Sequence, residues 1–140
     1  MKKKLILILF SYKFKSHYIE RFNVNEFNKV KDVDVEIHQL IDFVFPSFKK
    51  AFQRNDTHKC LKIFKDINSW KKRIKFLKKK YKENVIIINT VQSISLNSFK
   101  INFFLKEKKI KILEFIYKLS LVTSLSRKID FPRIRQFLNT

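Results

Sequence analysis

Polar side chains able to bind a ligand or move a proton follow three apolar segments of this sequence. They are Ser11, Tyr12, Lys13 and His17 after the first segment, Asp42 after the second, and Asn89, Thr90, Gln92 and Ser93 after the third. This mixture of hydroxyls, amides, an ammonium group and an imidazole suits recognition of a sugar or phosphosugar better than redox chemistry. Ordinary loop polarity explains the same residues equally well, so both interpretations stay open.

The apolar segments themselves predict strands of a parallel sheet. Leu5–Phe10 and Val85–Ile88 are continuous apolar runs, typical of strands covered on both faces. Residues 33–37 alternate between apolar and charged side chains, as a half-buried strand does, and Ile110–Tyr117 predicts a fourth strand. Because the carboxyl ends of parallel strands meet at one edge, the polar groups are expected to line one crevice there.

Amphipathic helices are predicted between these strands. The first covers about residues 16–31, the second starts at a cap at Asn68 or Ser69, and the third precedes the charged segment 106–109. The apolar positions are Trp70, Ile74, Leu77 and Tyr81 in the second helix, and Leu96, Phe99 and Phe103 in the third. The order predicts an α/β, Rossmann-like three-layer sandwich with a mainly parallel sheet of about four strands and helices on both faces.

The expected domain covers residues 1–118. Residues 119–140 are either a C-terminal tail or the start of a further α/β unit that is cut short. Length, apolar content and the absence of a long apolar run are typical of one globular domain that does not span a membrane.

The chain contains no glycine, which excludes two common phosphate-binding motifs. Both the Walker A loop and the dinucleotide-binding turn need glycine where the backbone approaches phosphate. We therefore expect neither a P-loop NTPase nor a typical NAD-dependent dehydrogenase, and no cofactor. The histidines lack the spacing of known zinc motifs, so no metal site is predicted.

The single cysteine, Cys60, excludes an intramolecular disulfide and favours a reducing cytoplasm. Lysine neighbours are typical of reactive cysteines, which is the less favoured interpretation here. The interpretation we favour is structural, with Cys60 packed beside Leu61 and Phe64 on an apolar helix face.

The net charge of +20 predicts attraction to polyanions. The second helix carries the densest cationic face, and its candidate anion-binding side chains are Lys71, Lys72, Lys75, Lys78 and Lys79. This face is a solvated one enriched in lysine by A+T-rich codons, a contact for an anionic membrane surface, or a nucleic-acid contact. Nucleic acid is the less favoured partner, because the phenylalanines occupy core spacing rather than alternating with cations.

Part of the sequence resembles a known enzyme family. Leu5–Phe10, Tyr18–Phe22 and Val35–His38 with the following Leu40 resemble the N-terminal domain of bacterial surface-polysaccharide glycosyltransferases of the GT-B type, of the family 4-like group. The polar exit of the third strand and the later strand continue in the same order. The absence of glycine in the first loop departs from the family pattern.

The resemblance implies the acceptor-binding half of a hexosyltransferase acting in cell-surface polysaccharide biosynthesis. Its acceptor would be a sugar or a lipid-linked sugar, and a separate C-terminal domain would hold the nucleotide-sugar, so this chain alone is expected to be inactive. His17 or Asp42 would serve as general base. The implied acceptor-binding residues are Ser11, Tyr12, Lys13, Arg21, Asn89, Thr90 and Gln92.

The rival interpretation is a small basic cytoplasmic α/β protein that binds nucleic acid or anionic membrane lipid. Under either interpretation the protein is expected in the cytoplasm, with peripheral attachment to the inner membrane left open.

Overall fold

A computed structural model describes residues 3–47, 56–91, 95–114 and 137–138 of the chain. Within them, five parallel strands form one sheet in the order β3-β2-β1-β4-β5. The strands are β1 (Lys4–Phe10), β2 (Val33–Gln39), β3 (Leu61–Ile63), β4 (Val85–Asn89) and β5 (Lys111–Glu114). The helices are α1 (His17–Arg21), α2 (Val24–Lys29), α3 (Ile41–Val44), α4 (Ile67–Tyr81) and α5 (Leu96–Glu107).

Two apolar layers enclose the sheet, because successive side chains of each strand point to opposite faces. Leu5, Leu7 and Leu9 of β1 pack with the buried residues of α4 and α5 in one cluster. The alternate positions Ile6 and Ile8 pack with α1 and α2 in the other. This arrangement confirms the predicted α/β Rossmann-like sandwich.

The sheet has one strand more than the sequence predicted. The additional strand, β3, is only three residues long and pairs with β2 alone. Cys60 lies just before this strand and not on a helix face, so its predicted location is wrong, although its side chain is buried. The predicted domain boundary at residue 118 falls outside the described residues.

The single helix predicted over residues 16–31 is two short helices. Asn23 separates α1 from α2 and adopts the left-handed conformation, with φ 51° and ψ 33°. Asparagine tolerates this region better than most residues, and it takes the role that glycine often has.

Helix α4 buries the predicted side chains, but it begins earlier than predicted. Asp66 is its N-cap and accepts a hydrogen bond from the Ser69 backbone N–H at 2.8 Å. This bond satisfies one of the free donors of the first turn and lowers the pKa of Asp66. The predicted caps, Asn68 and Ser69, lie inside the helix.

Helix α5 forms where predicted, but it turns a different face to the sheet. Its buried residues are Ser98, Ile101, Phe104 and Leu105, and the three positions taken as its apolar face are exposed. Polar contacts fix this rotation: Asn97 Nδ2 donates to the Phe43 carbonyl, and Asn102 Oδ1 accepts from Asn89 Nδ2. The predicted burial of Leu96, Phe99 and Phe103 is therefore wrong.

Candidate functional site

The carboxyl edge of the sheet carries the loops that sequence analysis singled out. Strands β2 and β4 flank β1. The chain runs from β1 through β2 to β3 on one side and then returns across the sheet to β4 on the other side. In open α/β sheets this switch in strand order marks the usual ligand crevice. The register pairs Phe10 with Gln39 and Leu9 with Asn89, so the loops after β1, β2 and β4 meet at this edge.

Several of the predicted binding side chains are used inside the fold. Thr90 Oγ1 donates to the Leu9 carbonyl at 2.6 Å. The Asn89 side chain donates to Asn102 Oδ1 at 2.8 Å and accepts from the Val91 backbone N–H at 3.1 Å. Ser11 is also buried. Asn89 and Thr90 thus bond to other parts of the fold, and all three residues are buried.

Other predicted residues at this edge reach the surface. Tyr12 and His17 are exposed, and Lys13 and Asp42 are half-buried. The His17 ring lies 4.3 Å from the Tyr18 ring, between centroids. No hydrogen bond or ring contact among the described residues joins His17 to Asp42.

The remaining predicted binding residues lie on α1 or outside the described part of the chain. Arg21 lies exposed in the last turn of α1, and Gln92 and Ser93 fall outside the described residues.

Two residues that sequence reasoning missed hold the loop after β1. The Phe14 backbone N–H donates to Gln39 Oε1 at 2.7 Å, and the backbone N–H and hydroxyl of Ser16 donate to Asp56 Oδ2. These bonds lower the pKa of Asp56. The Nε2 of Gln39 is buried without a hydrogen-bond partner among the described residues. No sequence signal identifies these partners, because they lie far from the loop along the chain.

A network of charged and polar side chains joins β2 to α4. Glu36 accepts hydrogen bonds from Arg73 and from His38 Nε2, and the Tyr81 hydroxyl donates to Asp34. Burial opposes ionisation of Glu36, but the bonds from His38 and Arg73 outweigh it and lower its pKa to about 2. Burial lowers the pKa of His38. Because Arg73 and Tyr81 join α4 to β2 through these bonds, we regard this network as structural.

The outer surface of α4 and α5 is the second candidate region. Both helices lie on the same face of the sheet, with the Trp70 and Phe104 rings 5.7 Å apart between centroids. Among the predicted anion-binding lysines, Lys72, Lys75 and Lys79 are exposed, whereas Lys71 and Lys78 are half-buried. The Lys71 ammonium stands 5.2 Å from the Phe104 ring centroid. The predicted cationic face therefore exists, and it borders α5.

At the opposite, amino edge of the sheet lies an open pocket of about 450 Å³. It is lined by Lys3, Lys80, Tyr81, Lys82, Glu83 and Asn84. The pocket surrounds the C-terminal end of α4, where the helix dipole carries partial negative charge. Lysines interact favourably with that charge, so their presence here does not by itself indicate an anion-binding site.

No protein-family model, curated protein or solved structure matches this chain. Within the described ranges, no three His, Cys, Asp or Glu side chains come together as a metal site would require. In the same part of the chain, no helix has the length and apolarity needed to cross a bilayer.

Proposed function

We propose that this chain is the acceptor-binding domain of a glycosyltransferase that acts in cell-surface polysaccharide biosynthesis. The observation that supports it best is the switch in strand order at β1, with accessible polar side chains on the loops around it. The sequence resemblance supports the same class of enzyme. The donor nucleotide-sugar would be held by a second domain.

Exposure favours some of the predicted residues over others as contacts for the acceptor. Tyr12 offers an aromatic ring on which a sugar face can pack, and Lys13 offers a cation for a phosphate. His17 or Asp42 would accept the proton of the attacking hydroxyl. Asn89 and Thr90 act as positioning residues through their bonds to Asn102 and to the Leu9 carbonyl, and Ser11 is buried.

The test is direct binding, since turnover would need the donor domain. Backbone amide NMR spectra of the full chain are recorded with the methyl glycosides of glucose, galactose, mannose and N-acetylglucosamine, and with the corresponding sugar 1-phosphates. We expect at least one probe to shift amides of residues 11–17 and 41–43. UDP-glucose should leave these amides unchanged.

Variants locate the site. Tyr12→Ala should weaken binding by about tenfold, the effect of losing roughly 1.4 kcal/mol of ring contact. Lys31→Ala, an exposed lysine two residues before β2 at the amino edge, is the control and should not change binding. The proposal fails if no probe shifts these amides, or if the shifts map to the amino edge.

A further inference from the structure

Helix α5 has apolar residues on its outer face as well as on its buried face. Leu96, Phe99 and Phe103 are 71, 60 and 63 % exposed, respectively. Their spacing places them along one stripe of the helix, and the rings of Phe99 and Phe103 stack with centroids 6.4 Å apart. Large apolar side chains gathered on a surface usually mark an interaction site.

Cations surround this apolar stripe. Lys100 and Lys106 are exposed on α5 itself. The adjacent helix α4 contains seven lysine and arginine side chains and no acidic one. On α5, the acidic side chain Glu107 is paired with Lys108, and this pairing lowers the pKa of Glu107. The outer surface of both helices thus combines an apolar stripe with a strong positive charge.

We propose that the outer surface of α4 and α5 binds an anionic lipid bilayer. Leu96, Phe99 and Phe103 insert among the headgroups, while the α4 lysines contact lipid phosphates. Helices that lie in a membrane interface combine these same two features. This inference does not rest on the proposed acceptor site, which lies at the sheet edge.

Charge complementarity favours the bilayer over the other partners that an apolar stripe can have. A second copy of this chain would bring two lysine-rich surfaces together, and the net charge of +20 opposes that contact. A nucleic acid would pair with the lysines, but the most exposed side chain of the stripe is Leu96, which has no aromatic face for base stacking. An anionic bilayer offers phosphates to the lysines and an apolar environment to the Leu96 side chain.

The geometry is consistent with shallow insertion. From Leu96 to Phe103 the stripe advances about 10 Å along the helix, at 1.5 Å per residue. Helix α5 lies on the sheet with Ile101, Phe104 and Leu105 buried beneath it, so the whole stripe can meet a flat surface at once. Interfacial helices sit about 5–10 Å deep in the headgroup region.

The experiment is co-sedimentation of the full chain with vesicles. Vesicles of phosphatidylcholine alone are compared with vesicles that also contain phosphatidylglycerol, at about 0.15 M salt, where the Debye length is about 8 Å. We expect binding to the anionic vesicles, little binding to the neutral ones, and weaker binding as salt increases.

The apolar contribution is tested by the double variant Phe99→Ser with Phe103→Ser. Both positions are exposed, so the fold should persist, and partitioning should fall at least tenfold. The matched control is Val30→Ser, an exposed apolar residue that follows α2, a helix on the opposite face of the sheet. We expect the control to bind as the unmodified chain does.

The charge contribution is tested by Lys72→Glu with Lys79→Glu. Each lysine near an anionic surface contributes roughly fivefold, so losing two should weaken binding by about 30-fold, and the two introduced carboxylates should weaken it further. Lys31→Glu with Lys59→Glu makes the same change in net charge at exposed positions outside α4 and α5, and it should have a much smaller effect.

Several outcomes would overturn the proposal. These are equal binding to both vesicle types, no vesicle binding, or binding that the serine variant leaves unchanged. Phenylalanine-dependent binding of single-stranded DNA without vesicle binding would assign the surface to nucleic acid. Dimers that the serine variant dissociates, again without vesicle binding, would assign it to a second copy of the chain.

Discussion

Helices α4 and α5 lie side by side on the same face of the sheet, but they distribute their apolar residues differently. In α4 the apolar positions Trp70, Ile74, Leu77 and Tyr81 are buried, and lysines occupy most of the outer face. In α5 apolar side chains occur on both faces, and the outer set is exposed. The outer face of α4 is therefore mainly cationic, whereas that of α5 is largely apolar.

Hydrophobic periodicity identifies the buried face of α4 but not that of α5. In α4 the polar residues mark the outer side, so the apolar stripe is unambiguous. In α5 two sets of apolar residues at helical spacing compete, and spacing alone does not choose between them. Asn97 and Asn102 decide the orientation through hydrogen bonds to other segments.

The largest expected effect separates two neighbouring residues of α5. Phe104→Ala should lower the free energy of unfolding by about 3–5 kcal/mol, because it leaves a cavity beside Trp70. Phe103→Ala should change it by less than about 0.5 kcal/mol, because that ring is exposed. Chemical denaturation of both variants measures the difference. Similar losses in the two would mean that α5 does not face the sheet as described.

A smaller effect concerns the polar network that joins β2 to α4. The pKa of buried His38 lies below its ordinary value of 6.5 in the folded protein, so the unfolded chain takes up a proton first on acidification. The free energy of unfolding should therefore fall as the pH drops below 6.5, by at most about 1.4 kcal/mol per pH unit. Replacement His38→Phe should remove this part of the pH dependence.

Denaturation at a series of pH values checks this prediction. The pKa of Glu36 is about 2 in the fold and 4.5 ordinarily, so its stabilising effect is lost only as the pH falls below about 5. A His38→Phe variant with the unmodified pH profile between 7 and 5 would show that His38 is not the group responsible.

The smallest expected effect concerns how α4 ends. Its C-cap Lys82 has φ 55° and ψ −119°, a conformation that is costly for any residue with a Cβ. Lys82→Gly should raise the free energy of unfolding by about 1 kcal/mol. Lys79→Gly, inside the helix, should lower it by about the same amount. Thermal unfolding of the two variants compares them, and a loss of stability in both would contradict the assigned backbone conformation.

Much of the fold is predictable because its central strands are chemically distinctive. The continuous apolar runs of β1 and β4 leave few alternatives for two-sided burial. Strand β3 escapes prediction because three residues beside one neighbour carry almost no pattern. The break at Asn23 escapes it because the chain has no glycine to mark helix ends.

The candidate site is predictable only in its position. Parallel strands bring the loops after β1, β2 and β4 to one edge, and this follows from strand order alone. Which polar side chains stay free depends on partners distant in the sequence, as the bond from Thr90 to the Leu9 carbonyl shows. The cationic face of α4 is predictable from helical spacing alone. The exposure of the α5 stripe depends on tertiary contacts and is not.

Insertion of the outer face of α5 into an anionic membrane can be measured at a single residue. Cys60→Ser removes the one native thiol, and Phe103→Cys in that background carries an environment-sensitive NBD fluorophore. Adding phosphatidylglycerol-containing vesicles should shift its emission to the blue and increase its intensity. The same label at Val30→Cys, after α2 on the opposite face of the sheet, should respond little. Equal responses at both positions, or no response at position 103 while the protein sediments with the vesicles, would contradict the account.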